Sequence, residues 1–194
     1  MHVKGTNLKV IKPKIIELEG QKGWNRYLSL LSDDTKKIMN SLILPSNLYD
    51  KQSYIEANRV TDFLFGNGKG SLIIELGRES ARTSVFDLYN SLLGKHLKSP
   101  RDIIKIVPEA IMPKIFAKGR GETISVNDNN GTFRVGTEYC KGDKEFLNIV
   151  ELRGIGWVEE LLEYAGAKNS KVKHTSKGTW DDGTPYVEIY VEWE

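Results

Sequence analysis

The 194-residue chain reads as an α+β protein in one domain, a helical part over residues 1–118 followed by a ββαββ antiparallel four-stranded sheet over 119–194. Three observations predict this. Along Pro185–Trp193, Val187, Ile189, Val191 and Trp193 alternate with Tyr186, Glu188, Tyr190 and Glu192, the period-2 pattern of a strand with one covered face. Asn127-Asp128-Asn129-Asn130-Gly131 separates two strand-like runs, Glu122–Val126 and Thr132–Tyr139, and its Asn-Gly ending favours the positive φ of a hairpin turn. Upstream of Lys118, by contrast, apolar residues recur at helical spacing.

From the N-terminus, Leu8, Val10, Ile11, Ile15 and Ile16 mark a first helix interrupted by Pro13. Trp24, Tyr27, Leu28 and Leu31 hold i, i+3, i+4, i+7 spacing, and Ser32-Asp33-Asp34 caps the helix carrying Ile38 and Leu42. Pro45 ends that run. Asp50 caps a helix whose face is Tyr54, Ala57, Val60, Thr61 and Leu64, and Gly66, Gly68 and Gly70 close it. A central amphipathic helix over Ser71–Leu93 offers Leu72, Ile73, Leu76, Phe86, Tyr89 and Leu92 for burial. Ser99-Pro100-Arg101-Asp102 starts another, carrying Ile103, Ile104, Val107 and Ile111, which Pro108 and Pro113 must kink or divide. After the hairpin, Phe146, Ile149, Val150, Trp157, Val158, Leu161 and Leu162 describe a helix broken or closely packed at Gly154 and Gly156. Strands at Lys171–Lys177 and Pro185–Trp193 then turn around Asp181-Asp182-Gly183.

Composition narrows the function classes. With 28 basic against 26 acidic residues and no block of one sign, the field gives no argument for nucleic acid. The lone Cys140 and the absence of a charged-then-apolar leader point to a reducing cytoplasm. No apolar run approaches the roughly 18 residues of a membrane span. No carboxylate pair, nucleophile–base pair or cofactor fingerprint is legible, so the reading is non-catalytic, with no cofactor and no metal. Gly66-Asn67-Gly68-Lys69-Gly70 is a helix C-cap rather than a phosphate loop, because a helix and not a strand precedes it. Arg78 and Arg82 either straddle Glu79 or present two cations to an acidic ligand. Cys140 reads as a small buried hydrophobe, since only Lys141 is nearby to activate it.

Ile43-Leu44-Pro45-Ser46, Glu75-Leu76-Gly77-Arg78-Glu79-Ser80-Ala81, Ser99-Pro100, Gly156-Trp157 and Ala165-Gly166-Ala167-Lys168-Asn169 through Val191-Glu192-Trp193 together resemble a bacterial family first catalogued from myxobacteria. That family is similar in its C-terminal part to the 4-vinyl reductase domain, and more distantly to heme-nitric oxide binding proteins and TRAPP vesicle-tethering subunits. The resemblance implies an α+β ligand-sensing or assembly module, often dimeric, with an apolar pocket between helices and sheet. 4-Vinyl reductase relatives carry metal-ligating cysteines in the last strands, but here His174-Thr175-Ser176-Lys177-Gly178-Thr179-Trp180 holds none. The heme-nitric oxide resemblance places His96 where an iron ligand would sit. That group also grips the heme propionates with a Tyr-x-Ser-x-Arg run, of which Asn129–Arg134 keeps only Arg134.

The expected function is therefore binding of a small hydrophobic or amphipathic molecule between helices and sheet, in a homodimer. Leu76, Phe86, Tyr89, Ile104, Val107 and Ile111 are the candidate pocket residues, apolar positions at helical spacing that are first of all core. His174 shares the covered side of its strand with Val172, where it either lines the pocket or bonds a backbone carbonyl. The alternatives are a tethering-like assembly module and a heme gas sensor on His96.

Overall fold

A computed structural model describes residues 2–88, 99–111 and 118–194. The helical part opens with β1 (His2–Lys4), α1 (Thr6–Lys9) and α2 (Ile11–Ser29), followed by α3 (Asp33–Asn40), β2 (Leu48–Asp50), α4 (Lys51–Phe65) and α5 (Ser71–Leu88). Next come α6 (Pro100–Ile106) and a π-helical turn over Val107–Ile111. The second part is β3 (Gly119–Val126), β4 (Asn130–Thr137), a 3₁₀ turn at Glu138–Cys140, α7 (Lys144–Tyr164), β5 (Lys171–Thr179) and β6 (Pro185–Glu192). The ββαββ order is thus as the sequence predicts.

Caps fix the helix starts where the sequence places them. The Ser32 side chain accepts from the Thr35 N–H, Asp50 from Gln52 and Ser53, and Ser99 from Asp102 with Pro100 in the first turn. Pro13 falls in the first turn of α2, where its missing N–H breaks no bond, and the interruption comes instead at Gly20, at φ 65°. The Pro108 kink appears as the π-helical turn. α7 runs unbroken through Gly154 and Gly156, so breakage does not hold, and close packing holds at Gly156 and not at Gly154. β1 and β2 pair antiparallel, a three-residue ladder too short for periodicity to reveal.

The four-stranded sheet has the order β3-β4-β6-β5, antiparallel throughout. Its covered face carries Phe133 and Val135 at 1% exposure and Val187, Ile189 and Val191 at 0%. α7 lies over β5 and β6, while α6 and the π turn lie over β3 and β4. These residues join Leu8, Tyr27, Leu76 and Ile103 in a hydrophobic cluster that runs through both parts. The helices α5 and α7 cross almost backbone to backbone. A methyl group added at Gly156 would stand 1.9 Å from the Ile74 carbonyl oxygen, and one at Gly77 2.4 Å from that of Arg153.

Candidate functional site

The seam between helices and sheet is where a ligand is expected, and the structure distributes the candidates around it unequally. Leu76 is fully buried on α5, Ile104 and Val107 are 1% and 2% exposed at the α6–π turn, and all three belong to the core cluster. The Phe86 and Ile111 side chains, Tyr89 and His96 fall outside the described residues. His174 is on the covered side of β5 as expected, cross-strand from Ile189, but at the rim, and its Nδ1 lies 3.3 Å from a Glu151 carboxylate oxygen. Its partner is thus a carboxylate rather than a backbone carbonyl.

Glu151 draws a second partner from the same strand, Lys177 at 2.5 Å. Residues three apart on a regular strand face opposite ways. The register shift between His174 and Ser176 turns both toward α7, so a bulge builds this cluster.

Sequence reasoning passed over the side chain that holds the bundle together. Arg153, on α7 and 1% exposed, donates from Nε to Asn58 Oδ1 at 3.0 Å and from Nη1 to the Leu76 carbonyl at 2.6 Å. It also donates from Nη1 to Ser80 Oγ at 3.1 Å and from Nη2 to the Asn7 carbonyl at 3.0 Å, so α1, α4 and α5 converge on one guanidinium. Burial pulls its pKa below the ordinary value, with Tyr54 and Tyr27 acting the other way. The signal was present: Arg153 interrupts the stripe Phe146, Ile149, Val150, Trp157, Leu161 on its apolar side.

On the open face of the sheet, Arg134 donates to Glu188 at 3.0 Å and stacks 4.6 Å from the Tyr186 ring centroid. Tyr186 packs in turn against Trp180, the rings tilted by 56° with centroids 5.0 Å apart, and Arg120 covers Trp180 at 4.6 Å. Arg78 and Arg82 bridge α5 to Glu159 and Glu160 of α7, each at 2.8 Å, and Arg82 also meets Glu79 at 2.8 Å. Arg82 meets Glu79, but Arg78 turns to Glu75 and Glu159, so the two do not straddle Glu79, and both pair with carboxylates of the protein. Cys140 is 2% exposed, and burial pushes its thiol up to about 12, as suits a packed hydrophobe. At the glycine-rich turn, Gly66 and Gly68 donate to the Asp62 carbonyl and Gly70 to the Asp62 carboxylate, consistent with a C-cap.

Between α1, α2 and α5 a cleft of about 100 Å³ is walled by Val10, Pro13, Lys14, Glu79 and Thr83, none of them a candidate pocket residue. Among the described residues no group of three or more His, Cys, Asp or Glu is placed to hold a metal ion, and no helix is long and apolar enough to cross a membrane.

The chain matches no family profile and no curated protein sequence. Its fold does match solved structures. The Fe(II) unliganded H-NOX protein from K. algicida superposes with a TM-score of 0.73 at 12% identity, over 98% of this chain and 96% of that one. A mutant H-NOX of T. Tengcongensis gives 0.68 at 14% over 98% and 97%. An oxygen-binding H-NOX domain related to soluble guanylate cyclases, in its oxygen complex, gives 0.66 at 13% over 98% and 95%. The chain therefore has the α+β fold of H-NOX domains along nearly its whole length. This bears out the heme-nitric oxide branch of the resemblance as a likeness of fold, and lends nothing to the 4-vinyl reductase and tethering branches.

Of the residues that the resemblance puts at a heme, His96 lies outside the described residues, and Arg134 lies on the open face of the sheet, bonded to Glu188 and stacked with Tyr186, while its neighbours Phe133 and Val135 take the covered face.

Proposed function

We propose that this chain is a non-catalytic sensing or regulatory module that binds a small apolar or amphipathic molecule at the seam between the helices and the covered face of the sheet. It acts as a cytoplasmic homodimer through a shift of population between bound and free forms. The observation that carries this is the covered face itself, with Val187, Ile189 and Val191 fully buried beneath helices, in a fold shared end to end with an oxygen-binding domain. Leu76, Ile104 and Val107 supply the described part of the lining, and His174 stands at the rim. Burying about 200 Å² of ligand surface at about 25 cal/mol per Å² gives on the order of 5 kcal/mol before entropic costs, enough to bias a helix rearrangement.

Native mass spectrometry of the purified protein, with titration of anilinonaphthalene sulfonate as an apolar probe, tests the reading. A copurified adduct or saturable probe fluorescence is expected. A clean apo mass with no saturation would end it. Leu42 and Phe63, 83% and 71% exposed, favour a second reading as an assembly module without ligand, for which light scattering would show a concentration-dependent oligomer.

A further inference from the structure

Two Asn-Gly pairs occur in the sequence, Asn67-Gly68 and Asn130-Gly131. Such a pair carries its own chemistry, because a glycine without Cβ lets its backbone nitrogen close on the preceding side-chain amide, and asparagine is among the thermolabile residues. We infer that Asn67 is a site of spontaneous deamidation in the folded protein, and that the fold protects Asn130 from the same reaction.

The reaction needs water and no other partner. The Gly68 backbone nitrogen attacks Asn67 Cγ, the new C–N bond closes a five-membered succinimide, and the Cγ–Nδ2 bond breaks. The Gly68 N–H proton leaves with Nδ2 as ammonia. Water then opens the ring at either carbonyl, giving an aspartate or its β-linked isomer, with nothing oxidised or reduced. Three conditions follow: the side-chain amide must be free to turn, the glycine nitrogen must come away from its hydrogen bond, and the ring must have room.

At Asn67 all three are met within one turn of chain. Asn67 and Gly68 are exposed, with φ 58° and 67°, between α4 and α5. The Asn67 side chain has no hydrogen-bond partner among the described residues, and a methyl group added at Gly68 would meet nothing within 4 Å. The attacking nitrogen is tied by its bond to the Asp62 carbonyl at 3.1 Å, an acceptor it shares with Gly66. Releasing it is a local opening of an exposed turn, at the low end of the cost of such openings.

At Asn130 each condition fails. Its Oδ1 accepts from Asn127 at 2.8 Å and its Nδ2 donates to Asn129 at 3.0 Å. Gly131 is buried on β4, an inner strand, opposite Val126 of β3 and Val191 of β6. A methyl group there would come within 2.7 Å of Ile104 Cγ2, which leaves no room for the ring. Reaction at Asn130 therefore waits on opening of the sheet.

The product changes the turn that bears it. Either form puts a carboxylate just past the C-terminal end of α4, where the helix dipole disfavours it, and the β-linked form lengthens the main chain by a carbon. That turn is held by the Gly66 and Gly68 N–H groups on the Asp62 carbonyl and by Gly70 N–H on the Asp62 carboxylate at 3.0 Å. Deamidation thus loosens the joint through which α4 leads into α5.

Ageing the purified full chain in mildly alkaline buffer, followed by trypsin digestion and mass spectrometry, reads the two sites separately, since Asn67 falls in the peptide Val60–Lys69 and Asn130 in Gly121–Arg134. In the folded protein Asn67 is expected to convert about tenfold faster than Asn130 or more, and in urea the two should convert at comparable rates. Water labelled with heavy oxygen should leave its label in the new carboxyl group, and amide exchange at Gly68 and Gly70 should quicken in the aged protein. Equal rates in the folded chain, or an Asn67 that reacts in urea alone, would overturn the inference. The same preference for Asn67 in urea would overturn the protection by the fold, and unchanged exchange would overturn the loosening of the turn.

Discussion

On its sheet side α7 meets an apolar face, with Val187, Ile189 and Val191 fully buried, and keeps its polar contact, Glu151 with His174 and Lys177, at the rim. On its bundle side the same helix drives the Arg153 guanidinium into the centre, where neutral oxygens of Asn7, Asn58, Leu76 and Ser80 receive it. The two sides do different work. Apolar burial stabilises in proportion to area and tolerates sliding, because dispersion and hydration are non-directional. A planar guanidinium with its donors aimed at oxygens on three other helices accepts one arrangement only. The sheet side therefore has the adaptability a binding seam needs, and the bundle side holds a fixed frame against which a change at the seam can register.

The sharpest way to break this contrast is Arg153→Ala. It leaves Asn58 Oδ1 and the Asn7 carbonyl without the Arg153 donor, leaves the Leu76 carbonyl to the Ser80 hydroxyl alone among side chains, and opens a cavity, so a loss of about 4 kcal/mol or more is expected in urea denaturation. A loss under about 1 kcal/mol would make the two sides equivalent. Next in size is a matched pair on α7. Gly156→Ala forces a methyl group against the Ile74 carbonyl and should cost about 2 kcal/mol, whereas Gly154→Ala, whose nearest neighbour would be Ile189 Cδ1 at 3.8 Å, should be neutral or stabilise by up to about 1 kcal/mol. Similar melting temperatures for the two variants would contradict the close α5–α7 crossing.

The smallest effect concerns the start of α7, where Asp143 caps the Phe146 N–H and pairs with Lys51 at 2.6 Å. Burial pushes the Asp143 carboxyl up, but the bonds from Lys51 and Phe146 outweigh it and the group sits below its ordinary value. A depressed carboxylate contributes stability that is full above its unfolded pKa of about 4 and is lost as pH falls through the lower folded value. Stability measured from pH 7 downward should therefore hold to about pH 4 on this account and then decline. Asp143→Asn should remove no more than about 1 kcal/mol at pH 7 and flatten the decline. An unchanged acid limb would mean that the capping carboxylate is uncoupled from folding.

Much of the fold was legible because its determinants are local. The alternation along β6, the Asn-Gly hairpin and the caps at Ser32, Asp50 and Ser99 each depend on residues within a turn or a strand of one another. The candidate site was legible only in part. Periodicity placed Leu76, Ile104 and Val107 in the interior, and alternation put His174 on the covered side. The bulge that brings Lys177 round beside it leaves no mark in the pattern. Arg153 was visible as a charge in an apolar stripe, yet its partners are drawn from three helices remote in the chain.

The sequence by itself thus determined the order of helices and strands, which face of the sheet is covered and where each helix begins, since backbone dihedrals, side-chain period and capping bonds are settled between near neighbours. Only the tertiary structure decided that Arg153 lies in the centre, that Glu151 takes both His174 and Lys177, that Arg134 leaves through the open face, and that Gly121 and Gly131 bring the sheet directly onto the α6 segment. Those outcomes turn on which groups from distant segments lose their water together, and desolvation is a property of the assembled interior.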